Sequence, residues 1–409
     1  MPTSSWSRTA LNWWRSRLLL FLALLPTSSL WAQDVGYARA WMDTLSSPTF
    51  SGRGYTSNGM QLAADALARE FARLGLESIG PDYRQWFPLE VNVFDSVLLR
   101  VNGRTLTPGV HYLVHPESGA GEGHKLKAGK GFQLVSRKDA ASILAIQKPA
   151  RVLIEHGDQA LIWSVGRDVQ RQSRFVVHDS VLPPKVKRID YVVRSRYEKQ
   201  QQANVIGLLR GSSQPDSFVV ICAHYDHLGT MGKSTLFPGA NDNASGTALL
   251  LDMARHYSQP VNRPVYSLLF IAFGAEEAGL VGSRYFVEED PLVPLKRIRF
   301  VLNLDLLGGG SEGITVVNAT SHPKEFNWLK ERNAQRYQLP KVVQRENSRN
   351  SDHYPFTTRK VPAFFVYTLG DVTAYHNIFD RPEYVPFKVY DKVFGLLLDF
   401  SLYLQGREY

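Results

Sequence analysis

The feature that most constrains the fold is a short run of apolar residues, Phe218 to Ala223, in the second half of the chain. A strand that is apolar on both faces must be covered on both faces, which favours a parallel sheet flanked by helices. The run ends abruptly in His224, Tyr225, Asp226 and His227. Imidazole and carboxylate groups at the exit of a buried strand lie where open α/β sheets carry their functional sites.

Strand and helix patterns alternate through the rest of this half of the chain. The predicted strands are 204–209, 218–223, 266–273, 300–304 and 362–368, and the predicted helices are 245–257, 277–286 and 387–404. Nearer the N-terminus, residues 38–45 and 62–74 have helical spacing, and residues 86–93 are extended. This alternation predicts an α/β fold with a mixed, mostly parallel central sheet flanked by helices.

The middle of the chain has a different pattern. Short β-like runs alternate there with clusters of Gly, Pro and Lys, at 97–101, 131–135, 151–154, 160–165, 175–178 and 191–193. Short strands between turn residues are typical of a β-rich unit. We therefore predict that residues 98–199 form an inserted β-rich domain, which separates residues 33–97 from residues 200–409.

The N-terminus has the pattern of a secretory signal. Three arginines precede the apolar run Leu18–Leu25, and Ala32 offers a small residue for cleavage. The apolar run is shorter than the roughly 20 residues of a membrane-spanning helix. We expect residues 1–32 to be a cleaved signal peptide rather than an uncleaved anchor. The mature protein would then be periplasmic or secreted, with no stable insertion in the membrane.

The composition excludes an intramolecular disulfide and gives no support for nucleic-acid binding. Cys222 is the only cysteine, so an intramolecular disulfide is impossible, and its place in an apolar strand predicts a small buried side chain. The formal net charge is +9, and residues 101–200 carry 17 basic and 9 acidic residues. Nucleic-acid binding would need aromatic residues interleaved with basic ones along one surface, and nothing in the sequence requires such a surface. The excess therefore predicts a solvated basic face and no nucleic-acid binding.

Titratable residues follow four of the predicted strands. They are His224, Asp226 and Asp242 after one strand, Glu276 and Glu277 after the next, then Asp305, and finally His376 and Asp380. Each motif by itself is also compatible with a helix cap or a surface acid. Two adjacent glutamates in a dry site, however, repel each other unless positive charge compensates them.

Two divalent cations would supply that positive charge. Against them, the carboxylates of Asp242, Glu277 and Asp305 leave one positive charge, which a bridging hydroxide neutralises. Imidazole and carboxylate together suit zinc. The sequence therefore predicts two Zn²⁺ ions per chain.

Six sequence motifs resemble, in the same order, those of the co-catalytic dizinc aminopeptidases (metallopeptidase clan MH, peptidase family 28). The motifs are AHYDHLG, GANDNASGTALL, AFGAEEAGLVGS, NLDLLG, SDHYPF and AYHNIFD. The resemblance covers residues 38–97 and 200–409. It implies the zinc-exopeptidase fold and makes residues 33–97 and 200–409 two parts of one catalytic domain.

The resemblance also implies the metal ligands. One zinc would be held by His224 and Asp305, and the other by Glu277 and His376. Asp242 would bridge the two ions.

Supporting roles are implied in the same way. Glu276 would be the general base that acts on the metal-bridging water, and Asp226 would orient His224. This second role agrees with the general need of a ligating histidine for a carboxylate partner. His227 and His353 are left over, and we expect them to be packing or supporting residues rather than ligands.

Taken together, these patterns predict an exported zinc-dependent aminopeptidase that hydrolyses the N-terminal peptide bond of peptides with a free N-terminus. Carboxylates near the metals, chiefly Glu276 and Glu277 and also Asp380, are candidates for binding the substrate ammonium group. The alternatives are a dipeptidase or carboxypeptidase of the same clan, or a non-catalytic receptor-like ectodomain on this fold. A glutaminyl cyclase is disfavoured, because such relatives use one zinc.

The chain departs from the family pattern at two places. Asn377, Ile378 and Phe379 follow His376 where the family often has Thr and a Thr-rich stretch. Residues 98–199 occupy the position of a protease-associated domain but lack its usual Gly-Lys-Ile-Val-Leu pattern. We expect this insert to shape access to the site, and we make no prediction of an oligomer.

Overall fold

The computed structural model describes residues 34–140 and 150–407, together with Met1. Apart from this first residue, the predicted signal peptide over residues 1–32 lies outside the described residues, so its cleavage stays a prediction. Among the described residues, no helix combines the length and the apolar character needed to cross a membrane.

The described residues form helices and strands throughout. The helices are α1 (Val35–Leu45), α2 (Gly59–Arg73), α3 (Gly246–Ser258), α4 (Val281–Arg284), α5 (Pro323–Arg332), α6 (His353–Thr358) and α7 (Tyr390–Tyr403). The strands are β1 (Glu77–Ser78), β2 (Arg84–Val101), β3 (Arg104–Thr105), β4 (Tyr112–Val114), β5 (Gly121–Lys127), β6 (Gln133–Ser136), β7 (Val152–Gly157), β8 (Ser173–His178), β9 (Arg188–Leu209), β10 (Gln214–His224), β11 (Gly229–Met231), β12 (Thr235–Phe237), β13 (Tyr266–Phe273), β14 (Ile298–Leu304), β15 (Gly313–Val317), β16 (Val342–Gln344) and β17 (Ala363–Leu369).

The largest sheet is parallel at its centre. The central strands lie in the order β13–β10–β14–β17, and each pairs in parallel with the next. Antiparallel neighbours extend the sheet on both sides, through β9 and β2 at one side and β15 at the other. Helix α3 packs against β10. The predicted α/β fold with a mixed central sheet and flanking helices is confirmed.

The apolar run in β10 forms the centre of this sheet. Its residues Val219 to Ala223 have no solvent-exposed surface. On one face, Val220 and Cys222 belong to a core that includes Phe273, Val301 and Phe356. Burial on both faces is the reason why this run is continuously apolar rather than alternating.

The region predicted as an insert is joined to the main sheet by continuous strands. β2 and β9 form one long antiparallel pair, from Arg84 opposite Val205 to Val101 opposite Ile189. A smaller sheet, in the order β4–β8–β7–β6, packs on this pair. The shared core includes Phe237 from β12, outside the insert. The region is rich in β-structure, whereas the domain boundaries at 98 and 199 stay a prediction.

Two predicted elements differ in the structure. Residues 160–165, predicted as a strand, form a loop with no strand pairing before the single bridge at Gly166. The helix predicted over 277–286 begins only at Val281, because a turn closed by hydrogen bonds to the carbonyl of Glu276 occupies the preceding residues. The sequence analysis also missed β15, β16, α5 and α6, which are short segments in which the apolar residues have no clear periodicity.

Candidate active site

The predicted metal ligands converge at the carboxyl ends of the central parallel strands. His224 ends β10, Asp242 lies in a π-helical turn before α3, Glu277 follows β13, Asp305 follows β14 and His376 follows β17. Parallel strands end at the same edge of a sheet, which brings together residues that are far apart in sequence. The fold thus gathers these five side chains into one cluster.

His224, Asp242 and Asp305 form the first group of donors. His224 Nε2 lies 3.4 Å from Asp242 Oδ1 and 3.3 Å from Asp305 Oδ1. All three side chains are buried. The hydroxyl of Ser351 donates to the other oxygen of Asp305, at 2.9 Å. This bond leaves Asp305 Oδ1 directed towards His224.

His376, Asp242 and Glu277 form the second group. His376 Nε2 lies 3.1 Å from Asp242 Oδ2 and 3.1 Å from Glu277 Oε2. Asp242 therefore presents one carboxylate oxygen to each group. A carboxylate placed in this way can bridge two ions, which is the role that the resemblance implies for Asp242.

His227 also approaches the second group. Its Nδ1 lies 2.7 Å from Glu277 Oε1, so that it could form an alternative set of donors with Asp242 and Glu277. The short contact is an ordinary hydrogen bond to one oxygen of Glu277. His376, in contrast, directs one nitrogen at two carboxylates. The geometry therefore favours His376 as the ligand and His227 as a residue that orients Glu277.

The separations between donors fit zinc. A tetrahedral zinc ion with ligands at roughly 2.0–2.1 Å keeps them roughly 3.3–3.4 Å apart. The four separations between a histidine nitrogen and a carboxylate oxygen in the two groups are 3.1–3.4 Å. The donors are imidazole nitrogens and carboxylate oxygens, both of which zinc accepts. These side chains thus fit a metal of this class.

The charges in the cluster shift the pKa values of its members strongly. Burial lowers the pKa of His376, but the carboxylates of Glu277 and Asp242 outweigh burial and raise this pKa to about 11. Burial raises the pKa of Glu277, but His376 and His227 outweigh it and hold this pKa well below its usual range. Carboxylates that retain protons on neighbouring histidines this firmly also attract a divalent cation.

Glu276 faces the cleft beside the donors. Among the described residues, no side chain or peptide group forms a hydrogen bond with its carboxylate, whereas Glu277 contacts two histidines. Burial raises the pKa of Glu276 well above its ordinary value; the charge of His224 opposes this shift and that of Glu277 adds to it. A carboxylate with a raised pKa at the edge of a metal site is suited to accept a proton.

Asp226 holds the turn that carries the two glutamates. Its buried carboxylate accepts hydrogen bonds from the hydroxyl of Tyr55 at 2.7 Å and from the peptide N–H groups of Glu276 at 3.0 Å and Glu277 at 3.2 Å. His224 Nδ1 lies 3.3 Å from the peptide oxygen of Asp226 and 3.8 Å from its carboxylate. The nearer partner that orients His224 is therefore the peptide oxygen rather than the predicted carboxylate.

Asp380 holds the loop of Asp242 through hydrogen bonds from its peptide N–H groups. Its side chain is fully buried and accepts hydrogen bonds from the peptide N–H groups of Asn241 at 2.8 Å and Asp242 at 2.9 Å. Burial raises the pKa of Asp380 to about 6. The sequence analysis named Asp380 among the candidates for binding a substrate ammonium group. The structure corrects this, because both carboxylate oxygens are directed into the protein.

Arg53 is a supporting residue that the sequence analysis missed. Its side chain is fully buried, and its guanidinium donates to the peptide oxygens of Tyr225 at 2.8 Å, Pro238 at 2.8 Å and Gly239 at 2.7 Å. These bonds tie the exit of β10 to the loop before Asp242. No local pattern in the sequence indicated a buried arginine at this position.

Three loops of the site contain a residue with left-handed backbone. Ala275, Leu306 and His376 have φ values of 57°, 56° and 51°. Such conformations are unfavourable for residues other than glycine and are often found where a structure holds functional side chains. They turn the chain sharply after β13 and β14 and at the candidate ligand itself.

Four of the five donors, His224, Asp242, Asp305 and His376, line a cleft of about 580 Å³, including its open mouth. Tyr375, Tyr367 and Arg345 form part of its wall. Arg345 Nη1 donates to the hydroxyl of Tyr367 at 2.9 Å. A cleft of this size with charged groups at its base suits a small ligand or the end of a peptide.

The other histidine and the cysteine singled out in the sequence lie behind the site. His353 is buried, and burial lowers its pKa to about 3; its Nε2 lies 3.2 Å from Asn347 Oδ1. Cys222 is buried in β10, with its sulfur 3.4 Å from Asn303 Oδ1. Neither side chain lines the cleft.

A sheet of this kind, with imidazole and carboxylate donors at its strand ends, defines the class of metal-dependent α/β hydrolases. Residues 204–401 match the model of peptidase family M28. This match confirms the predicted resemblance to the zinc exopeptidases of this family.

Known proteins of this family share parts of the sequence. Aminopeptidase YwaD of Bacillus subtilis (strain 168) is 34% identical over 165 residues, which are 39% of this chain and 34% of the relative. A glutamate carboxypeptidase 2 homolog of Caenorhabditis elegans is 36% identical over 121 residues, which are 29% of this chain and 15% of the relative. The similarity thus spans about a third or less of the length of these relatives.

Solved structures share the fold over nearly the whole chain. The structure of BSAP, a zinc aminopeptidase from Bacillus subtilis, superimposes with a TM-score of 0.70. The match covers 92% of this chain and 96% of that one, at 20% identity. The chain therefore has the fold of this peptidase.

Proposed function

We propose that the protein is an exported dizinc aminopeptidase, which hydrolyses the N-terminal peptide bond of peptides. The observation that carries the proposal is the pair of donor groups that share Asp242, one oxygen to each, beside a cleft lined by Glu276. The similarity to a Bacillus aminopeptidase supports the same activity.

His224 and Asp305 would hold one zinc ion, Glu277 and His376 the other, and Asp242 would contact both. Bound zinc would supply positive charge that polarises the scissile carbonyl and lowers the pKa of water. The geometry of the donors supports this assignment, and the number of ions is part of the proposal.

The residues around the metals transfer the proton, position the catalytic turn and bind the substrate ammonium group. Glu276 accepts a proton from the attacking water and transfers it to the amine nitrogen that leaves when the C–N bond breaks. Asp226 fixes the turn of Glu276 and Glu277 through their peptide N–H groups. The carboxylates of Glu276 and Glu277 also make this end of the cleft attractive to a substrate ammonium group.

Metal analysis and substrate profiling test the proposal together. We expect about two zinc ions per folded chain, and hydrolysis of aminoacyl reporter substrates that stops when the substrate N-terminus is acetylated. Cleavage of N-acetylated peptides at their C-terminus would indicate a carboxypeptidase, an alternative that the similarity to a glutamate carboxypeptidase homolog supports. A folded protein that binds no zinc would indicate a receptor-like ectodomain.

The export of the protein is a separate part of the proposal, and it depends on the signal-like residues 1–32. N-terminal sequencing of exported protein should find a start near Gln33. Recovery of intact Met1 in the membrane fraction would contradict this cleavage.

A further inference from the structure

The insert reaches the candidate metal centre through Trp163, in the loop 160–166. The peptide N–H of Trp163 donates to the peptide oxygen of His376 at 2.9 Å. In return, the Nδ1 atom of His376 lies 3.0 Å from the peptide oxygen of Trp163. Two residues that are 213 positions apart in sequence are thus joined by a reciprocal pair of hydrogen bonds.

The second of these bonds determines which nitrogen carries the proton when His376 is neutral, which is the form that binds a metal. A peptide oxygen only accepts hydrogen bonds, so Nδ1 must be the donor. In the neutral imidazole, Nε2 then retains its lone pair, and Nε2 is the atom that faces Asp242 and Glu277. Ligating histidines are commonly fixed in this way by a partner behind them.

Contacts on both sides hold Trp163 in place. Its indole ring stacks on the ring of Phe237 in β12, which follows the insert in sequence, with the ring centroids 4.7 Å apart. Its Nε1 donates a hydrogen bond to the peptide oxygen of Val114 at 2.8 Å. The loop ends where the peptide oxygen of Gly166 accepts from the N–H of Asn92 at 2.8 Å. Trp163 itself is 5% exposed.

We propose that the loop 160–166 of the insert positions His376 for metal binding, with Trp163 as its anchor. This inference rests on the proposed function, because it takes His376 as a zinc ligand. It gives the insert a role at the metal centre itself, beyond that of shaping access to the cleft. Trp163 is then a positioning residue, since it acts through His376 and not on the substrate.

The test compares zinc affinities of Trp163 variants, measured by competition with a chromophoric chelator on metal-free full-length protein. Trp163→Ala removes the ring stack and the Nε1 bond. We expect the affinity of one of the two zinc ions to fall about 10- to 100-fold, the usual effect of losing such a partner. The other ion, held by His224 and Asp305, should keep its affinity within about threefold. Trp163→Phe retains a stacking ring and should restore most of the affinity.

Two control variants separate positioning from general damage. Ile162→Ala changes an exposed side chain in the same loop, and Val177→Ala opens the same buried core away from His376. Both should bind two zinc ions as the wild type does. Circular dichroism in chelator verifies that each variant is folded at the temperature of the titration. If Trp163→Ala does not fold, Trp163→Leu replaces it, because leucine fills more of the buried volume.

The outcomes distinguish this inference from the proposed function. A wild type that binds no zinc would contradict the proposed function. A wild type that binds two zinc ions, with unchanged affinities in a folded Trp163→Ala, would contradict only the positioning role. An equal loss in Val177→Ala would contradict it as well, because the effect would then follow from weakening the core.

Discussion

Glu276 and Glu277 are neighbours in the chain but have different surroundings. Glu277 contacts His376 and His227, whereas the carboxylate of Glu276 faces the cleft. Their peptide N–H groups are both bound by Asp226, so the turn itself is fixed. The same substitution at the two positions should therefore remove different functions.

We predict that Glu276→Gln lowers turnover by at least about 10²–10⁴-fold, the contribution of general acid–base catalysis, while both zinc ions remain bound. Glu277→Gln should instead weaken one zinc ion, and added zinc should restore part of the activity. Turnover and metal content measured on both variants check this difference. If Glu276→Gln loses metal while Glu277→Gln retains it, the two roles are reversed.

Arg345 is a charged residue of the cleft, and it has no acidic partner in the described part of the chain. Across residues 34–140 and 150–407, no carboxylate lies within 4.0 Å of its guanidinium, and its contact is with the hydroxyl of Tyr367. Its backbone is held by hydrogen bonds to Val316 and Ala319. An arginine held at its backbone in this way is suited to bind a substrate carboxylate.

Arg345→Gln should raise KM for dipeptides with a free C-terminal carboxylate about 10-fold, which corresponds to losing about 1.4 kcal/mol. The same variant should cleave the corresponding dipeptide amides as the wild type does. Arg349→Gln is the matched control, because Arg349 lines a neighbouring pocket instead of this cleft. An equal change in KM for acids and amides would show that Arg345 does not bind the carboxylate.

At the scale of secondary structure, the loops after the strands carry the chemistry and other segments support them. Arg53 and Asp380 hold the loop of Asp242, and Trp163 contacts the loop of His376. Each support comes from a segment distant in sequence. The positions of Asp242 and His376 therefore depend on the packing of whole elements and not on their own loops alone.

The insert also contains a half-buried titratable group, His115, next to β4. Burial lowers its pKa to about 4, and the charge of Arg174 adds to this effect. Arg174 is itself paired with the buried Glu155, at 2.6 Å. In the unfolded chain the pKa of His115 would be about 6.5. Between these values the unfolded state binds more protons than the folded state, so stability falls as the pH decreases.

Replacing His115 should therefore reduce the acid sensitivity of the protein. Through this group, the free energy of unfolding of the wild type should decrease by on the order of 2 kcal/mol between about pH 7.5 and about pH 5. The free energy of unfolding of His115→Gln should lack this contribution to its decrease. Urea unfolding of both proteins across this pH range checks the difference. His124→Gln, at an exposed position with 79% side-chain exposure, is the control. Parallel pH profiles for wild type and His115→Gln would contradict the prediction.

At the scale of the whole molecule, the positive charge is concentrated in the insert. Residues 101–200 carry 17 basic and 9 acidic residues, while the full chain has a net charge of +9. A concentration of positive charge attracts negatively charged ligands over a long range and accelerates their encounter with the protein. Salt screens this attraction.

We predict that the hydrolysis of acidic peptides slows by at least about threefold when salt is raised from about 20 to about 200 mM, because the charge is then screened. The rate for neutral peptides should change little. Values of kcat/KM for both kinds of peptide at each salt concentration check this. An equal salt dependence would exclude steering by the insert.

The sequence by itself determined the centre of the fold and the types of side chain that meet at one edge of the sheet. The apolar run in β10 required a covered parallel sheet, and the titratable residues after consecutive strands had to meet at one edge of that sheet. Both signals are local in sequence, because a buried strand is a run of adjacent apolar residues and its end is marked by the polar residues that follow it. The assignment of His224, Asp242 and Glu277 as ligands came in addition from the resemblance of the motifs to the peptidase family.

Only the tertiary structure decided how these side chains are held and which others assist them. Arg53 is buried beneath the site, Asp380 is directed into the interior, and the loop at Trp163 contacts His376 although residues 160–165 had the pattern of a strand. None of these contacts leaves a local signal, because each joins segments far apart in sequence. A buried arginine and a peptide oxygen behind a histidine become recognisable only when the chain has folded around them.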